Sequence, residues 1–176
     1  AYTWNFRNRL VAAANRTEST SYTTFRYDVE GIRIAKALQG ESATGFLADK
    51  NRDYAQVLTE TLDPTSAPVE SVTYVYGDDL LTMSRPESGE NYYHFDGQLS
   101  ARQLTDGILQ ITDTYTFDAF GSLLRQNGLT NNVLLYNGQQ YDRNLGFYYL
   151  RARYYCQNVA RLLSGDSSEG NDQDPT

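Results

Sequence analysis

Aromatic residues alternate with polar residues in short segments along this chain, and each segment ends at an acidic residue or an asparagine. In the clearest unit, Tyr115 and Phe117 flank a threonine, Asp118 follows, and two leucines come shortly after Gly121. Alternation places both aromatic side chains on one face of a β-strand. We expect the aspartate to cap a turn by accepting backbone N–H groups, and the glycine to adopt a positive φ angle or allow a close backbone approach. Each unit therefore predicts a β-hairpin.

The unit recurs with a period in the low twenties, which is typical of stacked repeat architectures. The residues that end its five copies are Asn5, Asp28, Asp96, Asp118 and Asp142. The interval after Asp28 is about three times as long as the others, and we expect two degenerate units there, ending at Asp49 and Asp78. Neighbouring hairpins that pair side by side bury a continuous aromatic face. The pattern predicts an all-β protein built from antiparallel β-hairpins, with little helix.

Other segments are less regular. Loop or turn signals occupy 40–45 and 63–68, with a predicted strand at 54–61 between them. The apolar segment 10–15 is too short to require a helix, and no convincing helix start precedes it. Residues 100–106 fit either a helical turn or a bulged strand.

Composition and charge exclude some classes of protein. The chain has 176 residues, which suits one domain or one part of a larger repeat array. Hydrophobic residues make up 40%, and 15 tyrosines and 7 phenylalanines favour strands. Acidic residues outnumber basic ones by 22 to 15, and no basic patch indicates a nucleic-acid partner. No apolar run is long enough to predict a transmembrane helix.

The chain ends and the cysteine count add further constraints. Cys156 is the only cysteine, so no internal disulfide is expected. The chain begins at Ala1 and its only methionine is Met83, so we expect a processed product or a fragment of a longer protein. The residues after Ser164 are acidic, polar and without a basic residue, and we expect them to be disordered.

The densest aromatic and arginine segment lies near the end of the chain. It comprises Tyr141, Asp142, Gly146, Tyr148, Tyr149, Arg151, Arg153, Tyr154 and Tyr155. This segment closely resembles the closing motif of the core domain of Rhs (rearrangement hot spot), or YD-repeat, proteins. The resemblance covers most of the chain and is strongest from 74 to 166. Few unrelated folds need this spacing of aromatic residues and arginines.

The resemblance implies part of a hollow shell, in which antiparallel strands form a curved sheet and the closing motif curls inward to seal one end. Similar shells occur in the C component of insecticidal toxin complexes and in teneurins. It implies partly degenerate YD-type repeats over 1–90 and core-associated repeats with the closing motif over 91–166. Composition adds an expected disordered acidic tail over 167–176. The expected function is a structural, non-enzymatic module of a secreted or cell-surface protein, without a cofactor. Its expected partners are the remainder of its own shell and an enclosed toxin or other polypeptide.

In bacterial members of that family the core can also release the toxin by aspartyl self-cleavage. The family pattern is matched here at Arg161, Leu163, Ser164 and Asp166 but not at Cys156, Gln157, Ala160, Leu162 and Ser167. A second catalytic aspartate is expected well beyond Asp166, and the sequence stops at Thr176. One carboxylate cannot share a proton as an aspartyl dyad does. Asp166 is therefore the one catalytic candidate carried over from the family, and the protein is interpreted as a degenerate form of that core.

Other chemistry finds little support in the sequence. A nucleophile pair of Cys156 and His94 is conceivable, but nothing in the sequence brings the two together, and they would supply only two zinc ligands. No metal site is predicted. Arg151 and Arg153 are expected on one strand face, in contact with aromatic rings and with a turn carboxylate such as Asp142. The family resemblance offers a second role for these arginines, which is to position the cleavage site.

Three hypotheses stay open from the sequence. The first is the structural module that closes a shell around a cargo polypeptide. The second is a remnant of the self-cleaving core. The third is a recognition module whose exposed tyrosine-rich faces bind a glycan or a receptor.

Overall fold

Twelve antiparallel strands form one sheet in which every strand pairs with its neighbours in sequence. The computed structural model describes residues 1–14, 21–52, 54–63 and 69–165. The strands run in the order β1 to β12 across the sheet. They are β1 (Tyr2–Trp4), β2 (Leu10–Ala14), β3 (Tyr22–Tyr27), β4 (Arg33–Leu38), β5 (Thr44–Asp49), β6 (Gln56–Leu62), β7 (Val69–Tyr76), β8 (Leu80–Arg85), β9 (Gly89–Phe95), β10 (Ala101–Thr105), β11 (Ile111–Phe117) and β12 (Leu123–Asn127).

A second, four-stranded antiparallel sheet follows along the chain. Its strands are β13 (Gln140–Asp142), β14 (Phe147–Leu150), β15 (Arg153–Cys156) and β16 (Arg161–Leu162), again in sequence order. A single 3-10 turn at Tyr136–Gly138 is the only helical element within the described residues. The prediction of an all-β protein made of antiparallel strands is confirmed. In the described part of the chain, no helix has the length and apolar character needed to cross a membrane.

In the repeats that end at Asp96 and Asp118, aromatic residues lie on the buried face of the long sheet. In β11, Tyr115 and Phe117 are buried while Thr116 between them is exposed. In β9, Tyr93 is buried and Tyr92 is exposed. This alternation follows from the two-residue period of a strand, and it gives the long sheet one aromatic face for packing.

One type of turn recurs between strands of the long sheet. Oδ1 of Asp118 accepts N–H groups from Phe120 and Ser122, both at 2.8 Å, and Gly121 has a φ angle of 88°. The same pattern, with side-chain oxygen bonds to the second and fourth residues beyond it, occurs at Asn5, Asp28, Asp96 and Asp106. The turns at 28 and 118 have the expected glycine at positive φ.

The other three turns place a different residue in the left-handed conformation. These residues are Asn8, Leu99 and Leu109, with φ angles of 56°, 60° and 65°. Leucine in this region costs about 1–2 kcal/mol relative to glycine. The two hydrogen bonds to the preceding carboxylate offset that cost, because each satisfies a backbone N–H that the turn leaves without a ladder partner.

Several local predictions can be compared with these elements. Residues 10–14 form β2, and 101–105 form the bulged strand, since the register shifts between Ala101 and Gln103. The predicted strand at 54–61 corresponds to β6. Part of the predicted turn at 63–68 lies outside the described residues, as does the acidic tail at 167–176. The predicted boundary between 90 and 91 stays a prediction; β9 runs through it, and the change of sheet falls between β12 and β13.

The long sheet curves around the short one. Nη1 of Arg9, in the first turn, donates to the carbonyl oxygens of Arg151 and Ala152 at 3.1 and 2.9 Å. At the other end of the sheet, the hydroxyl of Tyr155 donates to the carbonyl of Phe120 at 3.0 Å. Twelve flat strands would span ~53 Å, and four strands only ~14 Å, at ~4.8 Å per strand. The small sheet reaches both ends of the large one because the large sheet bends around it.

Candidate functional site

A fully buried charged group lies where the two sheets meet. The guanidinium of Arg33, at the start of β4, has no exposed surface. Its Nη1 donates to the carboxylate of Asp142 and to the hydroxyl of Tyr154, the latter at 2.9 Å. Its Nη2 donates to Oε1 of Gln140 at 2.6 Å, and the hydroxyl of Tyr149 accepts the backbone N–H of Arg33 at 2.9 Å. We call these five residues the arginine clasp.

Aromatic rings enclose the same guanidinium. Cζ of Arg33 lies 4.1 Å from the ring centroid of Tyr149, and 5.0 and 5.4 Å from those of Phe46 and Phe25. Cations over aromatic faces are attracted by the ring quadrupole, most strongly when water is excluded. Arg33 is thereby held by rings from both sheets, since Phe25 and Phe46 belong to β3 and β5 and Tyr149 to β14.

Strand register brings the four partners from the small sheet together. Gln140 pairs with Tyr149 across β13 and β14, and Tyr149 pairs with Tyr154 across β14 and β15. Asp142 lies two residues beyond Gln140, so both side chains occupy the same face of β13. The spacing of the closing motif is therefore the spacing that presents one polar, aromatic face to Arg33.

The opposite face of the small sheet carries the remaining tyrosines of the motif. Tyr141, Tyr148 and Tyr155 pair with one another in register. The hydroxyl of Tyr148 donates to the carbonyl of Gly121 at 2.9 Å, and the rings of Tyr141 and Tyr148 lie 4.9 Å apart. This face packs towards the turn between β11 and β12, while the clasp face packs towards β3, β4 and β5.

Electrostatics keep the clasp ionised. Burial alone would raise the pKa of Asp142, but the charges of Arg33 and of Lys36, whose Nζ lies 3.2 Å from Oδ1, hold it below its usual value. Burial alone would lower the pKa of Arg33, but Asp142 and the neighbouring tyrosines raise it. A buried pair of this kind is costly to assemble and more costly to break, because removing one partner leaves a desolvated charge.

Two predictions about the motif need correction. The carboxylate of Asp142 was expected to form its turn, but it binds Arg33 and Lys36, and the turn uses its carbonyl oxygen, which accepts N–H groups from Leu145 and Gly146. The cause is register, since the side chain of Asp142 faces the long sheet. Gly146 has the positive φ angle, 74°, that this turn requires.

The two motif arginines were expected on one strand face, in contact with a turn carboxylate. Arg151 instead lies in the turn between β14 and β15, with a φ angle of 59°. Its Nε donates to the carbonyl oxygen of Ala55 at 2.9 Å, and its Nη1 donates to Oε1 of Gln139. Among the described residues no carboxylate pairs with it. Arg153 begins β15 opposite Leu150.

The structure places the other candidate residues apart from the clasp. Arg161 is exposed in β16, opposite Cys156. His94 Nε2 lies 3.0 Å from the hydroxyl of Thr105 in the long sheet, whereas Cys156 is buried in the small one. Asp166 lies outside the described residues. Within the residues that are described, no three metal-binding side chains cluster.

Sequence reasoning missed Arg33 altogether. In β4 the buried face carries Arg33 and Ala35, and the exposed face carries Ile34. Hydropathy alone predicts the reverse, with Ile34 facing the core and Arg33 facing solvent. The available signal was the two-residue period counted from the preceding turn, but using it required knowing that an acceptor set existed more than a hundred residues away.

Comparison with solved structures defines the class of fold. The chain superimposes on a segment of the TcdB2-TccC3 crystal structure with a TM-score of 0.70 and 19% identity, covering 94% of this chain and 9% of that one. A Photorhabdus luminescens Tc holotoxin pore with mutated TccC3 gives a TM-score of 0.72 and 18% identity, covering 97% and 9%. The chain therefore has the fold of a segment found in Tc toxin proteins.

Sequence comparison points to particular relatives. The chain is 33% identical over 177 aligned residues to the tRNA3(Ser)-specific nuclease WapA of Bacillus spizizenii and to the tRNA nuclease WapA of Bacillus subtilis. These alignments include 98% of this chain but only 7% of each relative. No family model matches the chain.

Proposed function

We propose that the chain is the closing end of an Rhs-type, YD-repeat shell that encloses a toxin or other cargo polypeptide, and that its role is structural. The observation that carries this proposal is the small sheet lying inside the curve of the large one and bound to it by the arginine clasp. The sequence likeness to WapA along nearly the whole chain and the fold likeness to Tc toxin proteins support it.

The contacts of the small sheet suit a closing element. It is anchored to the first turn of the long sheet by Arg9, to β4 by Arg33 and to the last turn by Tyr148 and Tyr155. An element held at three separated places cannot rotate away about one hinge, because all three attachments must break before it can move. The partners in this proposal are the remainder of the shell and the enclosed polypeptide, in a secreted or cell-surface protein.

The nuclease names of the relatives are compatible with this structural role. The matched segment is 7% of each relative, which leaves room for a separate nuclease region. The chain has a net charge of −7, and an acidic surface repels the phosphates of nucleic acid. In the proposal, this segment holds the nuclease or another cargo and does not itself cut RNA.

The test digests the full product of the gene with proteinase K and follows the cargo region by mass spectrometry. We expect the cargo to survive in the wild-type protein and to be degraded faster in the Arg33→Met variant, because loss of the clasp removes the most buried of the three attachments and leaves Asp142 without its closest cation. Arg26→Met is the matched control, since Arg26 is exposed on the neighbouring strand β3. Equal digestion of the cargo in the wild type and in both variants would contradict enclosure.

A further inference from the structure

A cavity of about 530 Å³ opens at one end of the two sheets. The connections that follow β3, β5, β7 and β9 all line it, and in an antiparallel sheet without crossovers these connections lie at the same end. The 3-10 turn and the turn between β14 and β15 close its other side. Its volume lies within the ~300–1,000 Å³ typical of sites for small ligands.

The cavity has an apolar floor and a polar mouth. Val57, Leu80, Phe95 and Leu134 supply apolar surface. Arg151 stands at the side of the small sheet, with its Cζ 5.9 Å from the ring centroid of Tyr54. An arginine between an apolar floor and an exposed tyrosine is suited to hold a carboxylate whose stem lies against apolar surface.

Arg151 has capacity for such a contact. Its described hydrogen bonds use Nε and Nη1, and none of them uses Nη2, which can therefore donate to a ligand. Partial burial lowers the pKa of Arg151, and no carboxylate among the described residues compensates. A bound carboxylate would give Arg151 the negative partner that Asp142 gives Arg33.

Two buried polar atoms of the lining residues also lack partners in the described part of the chain. They are Oε1 of Gln56, an acceptor, and Nε of Arg33, a donor. An unsatisfied buried polar group costs about 1–3 kcal/mol. Both atoms are closed to solvent, so a ligand in the cavity can reach neither of them, and recognition in the cavity rests on its accessible groups.

The remaining charges narrow the class of ligand. Asp78, Asp79 and Arg52 line the same cavity and are exposed, and Arg52 already contacts Asp49 and the carbonyl oxygen of Gly77. The two aspartates offset the two arginines and so disfavour a polyanion such as a polyphosphate, whereas a peptide can present N–H groups to the aspartates and one carboxylate to Arg151. Residues 166–176 of this chain are acidic but contain no large apolar side chain, so they do not match the apolar floor.

We propose that this cavity is a binding site for a short stretch of a separate polypeptide in which a carboxylate adjoins a large apolar side chain, with Arg151 holding the carboxylate. The site goes beyond the closing role of the chain. Arg151 also joins the small sheet to the connection between β5 and β6 at this cavity, because its Nε donates to the carbonyl oxygen of Ala55.

The test uses N-acetyl-leucyl-phenylalanine, which has a free carboxylate, and the same dipeptide as its C-terminal amide. Backbone amide shifts of the isotope-labelled chain are followed during titration. We expect the acid to bind with a Kd of about 1 mM or tighter and to shift Tyr54, Leu99 and Gly138, and the amide to bind about tenfold more weakly. Equal binding of acid and amide, or no shift at these three residues, would overturn the proposal.

Variants identify the anchor. Arg151→Gln is expected to weaken the acid about tenfold and leave the amide unchanged, while Arg125→Gln, an exposed arginine on β12, should bind both as the wild type does. If Arg151→Gln does not fold, Tyr54→Ser tests the same mouth at an exposed position. Equal losses in Arg125→Gln and the cavity variants would also overturn the site. Because these titrations need no cargo, the peptide site and the enclosing role can be contradicted independently of each other.

Discussion

Asp118 and Asp142 end two copies of one sequence unit, yet their carboxylates make different kinds of contact. The carboxylate of Asp118 accepts N–H groups from residues two and four positions ahead, at the surface of the long sheet. The carboxylate of Asp142 is buried and binds a cation more than a hundred residues earlier. The long sheet thus uses its aspartates for local turns, and the small sheet uses its aspartate to attach to the long one.

The two kinds of contact differ in how much each can contribute to stability. A turn carboxylate acts in water, where each hydrogen bond has a modest net effect of about 1 kcal/mol. The clasp acts without water, so its contacts are strong and their disruption leaves a buried charge. Repetition lets the long sheet rely on many weak turns, whereas the small sheet, with four short strands, relies on a few attachments to the long sheet, of which the clasp is the most buried.

Breaking the clasp should have the largest effect. We expect Arg33→Met to lower the free energy of unfolding by about 3–5 kcal/mol, because Asp142 is left buried with only Lys36 nearby. Urea denaturation measures this, with Arg26→Met as the exposed control. Adding Asp142→Leu should recover part of the loss, since the unpaired carboxylate is then gone. A loss below about 1 kcal/mol in the single variant would show that the clasp is not a concentrated source of stability.

Gly121 lies in a turn that packs against Tyr136 of the 3-10 turn, whereas Gly40 lies in a turn with open space beside it. Gly121 and Gly40 have similar φ angles, 88° and 84°, but a Cβ at Gly121 would lie 2.5 Å from the ring of Tyr136, while one at Gly40 meets nothing within 4 Å. We expect Gly40→Ala to cost about 1–2 kcal/mol from backbone strain alone. Gly121→Ala should cost about 1–3 kcal/mol more, because the ring must move. Equal losses in thermal unfolding would mean that Tyr136 yields freely.

Alkaline pH should weaken the contact between Tyr27, at the end of β3, and Leu10 of β2. Burial raises the pKa of Tyr27 to about 12, and its hydroxyl donates to the carbonyl of Leu10. The folded pKa exceeds the unfolded value, so the stabilisation is complete below about pH 10 and is lost as the pH rises towards 12. Between these values the wild type should lose about 2 kcal/mol more than Tyr27→Phe. Parallel stability curves for the two proteins would contradict this.

The smallest effects should come from a single turn. Asp106 forms the repeated turn, and no ion pair involves it in the described part of the chain. Asp106→Ala should cost about 1 kcal/mol through the loss of two hydrogen bonds. Asp106→Asn should stay within about 0.5 kcal/mol, because Asn5 already forms this turn with an amide oxygen. A larger loss for the asparagine variant would show that the charge itself matters.

These contrasts also explain what the sequence could predict. The turn at Asp118 was predictable because every group that it binds lies within four residues. The strands followed because Tyr115 and Phe117 alternate with polar residues across one buried face. Leu99 and Leu109 were not recognised in left-handed positions, because no side-chain preference marks a leucine for that conformation.

The clasp was only half predictable. The spacing of Asp142, Tyr149 and Tyr154 indicated a closing motif, but the cation that they surround is Arg33, in another repeat. Arg151 and Arg153, the arginines of the motif itself, were expected in its place. Pairing across such a separation depends on the curvature of the whole sheet, which no local pattern records.

The sequential strand order has a consequence for the time course of folding. Each pair in the long sheet joins adjacent strands, while the bonds of the clasp join residues 107 to 121 positions apart. Local pairs close short loops and form early, whereas long loops close late. We expect pulse-labelled hydrogen exchange to show protection in β7 to β11 before β13 to β15; simultaneous protection would contradict this order. During synthesis, the twelve strands can therefore assemble while the ribosome is still making the segment that closes them.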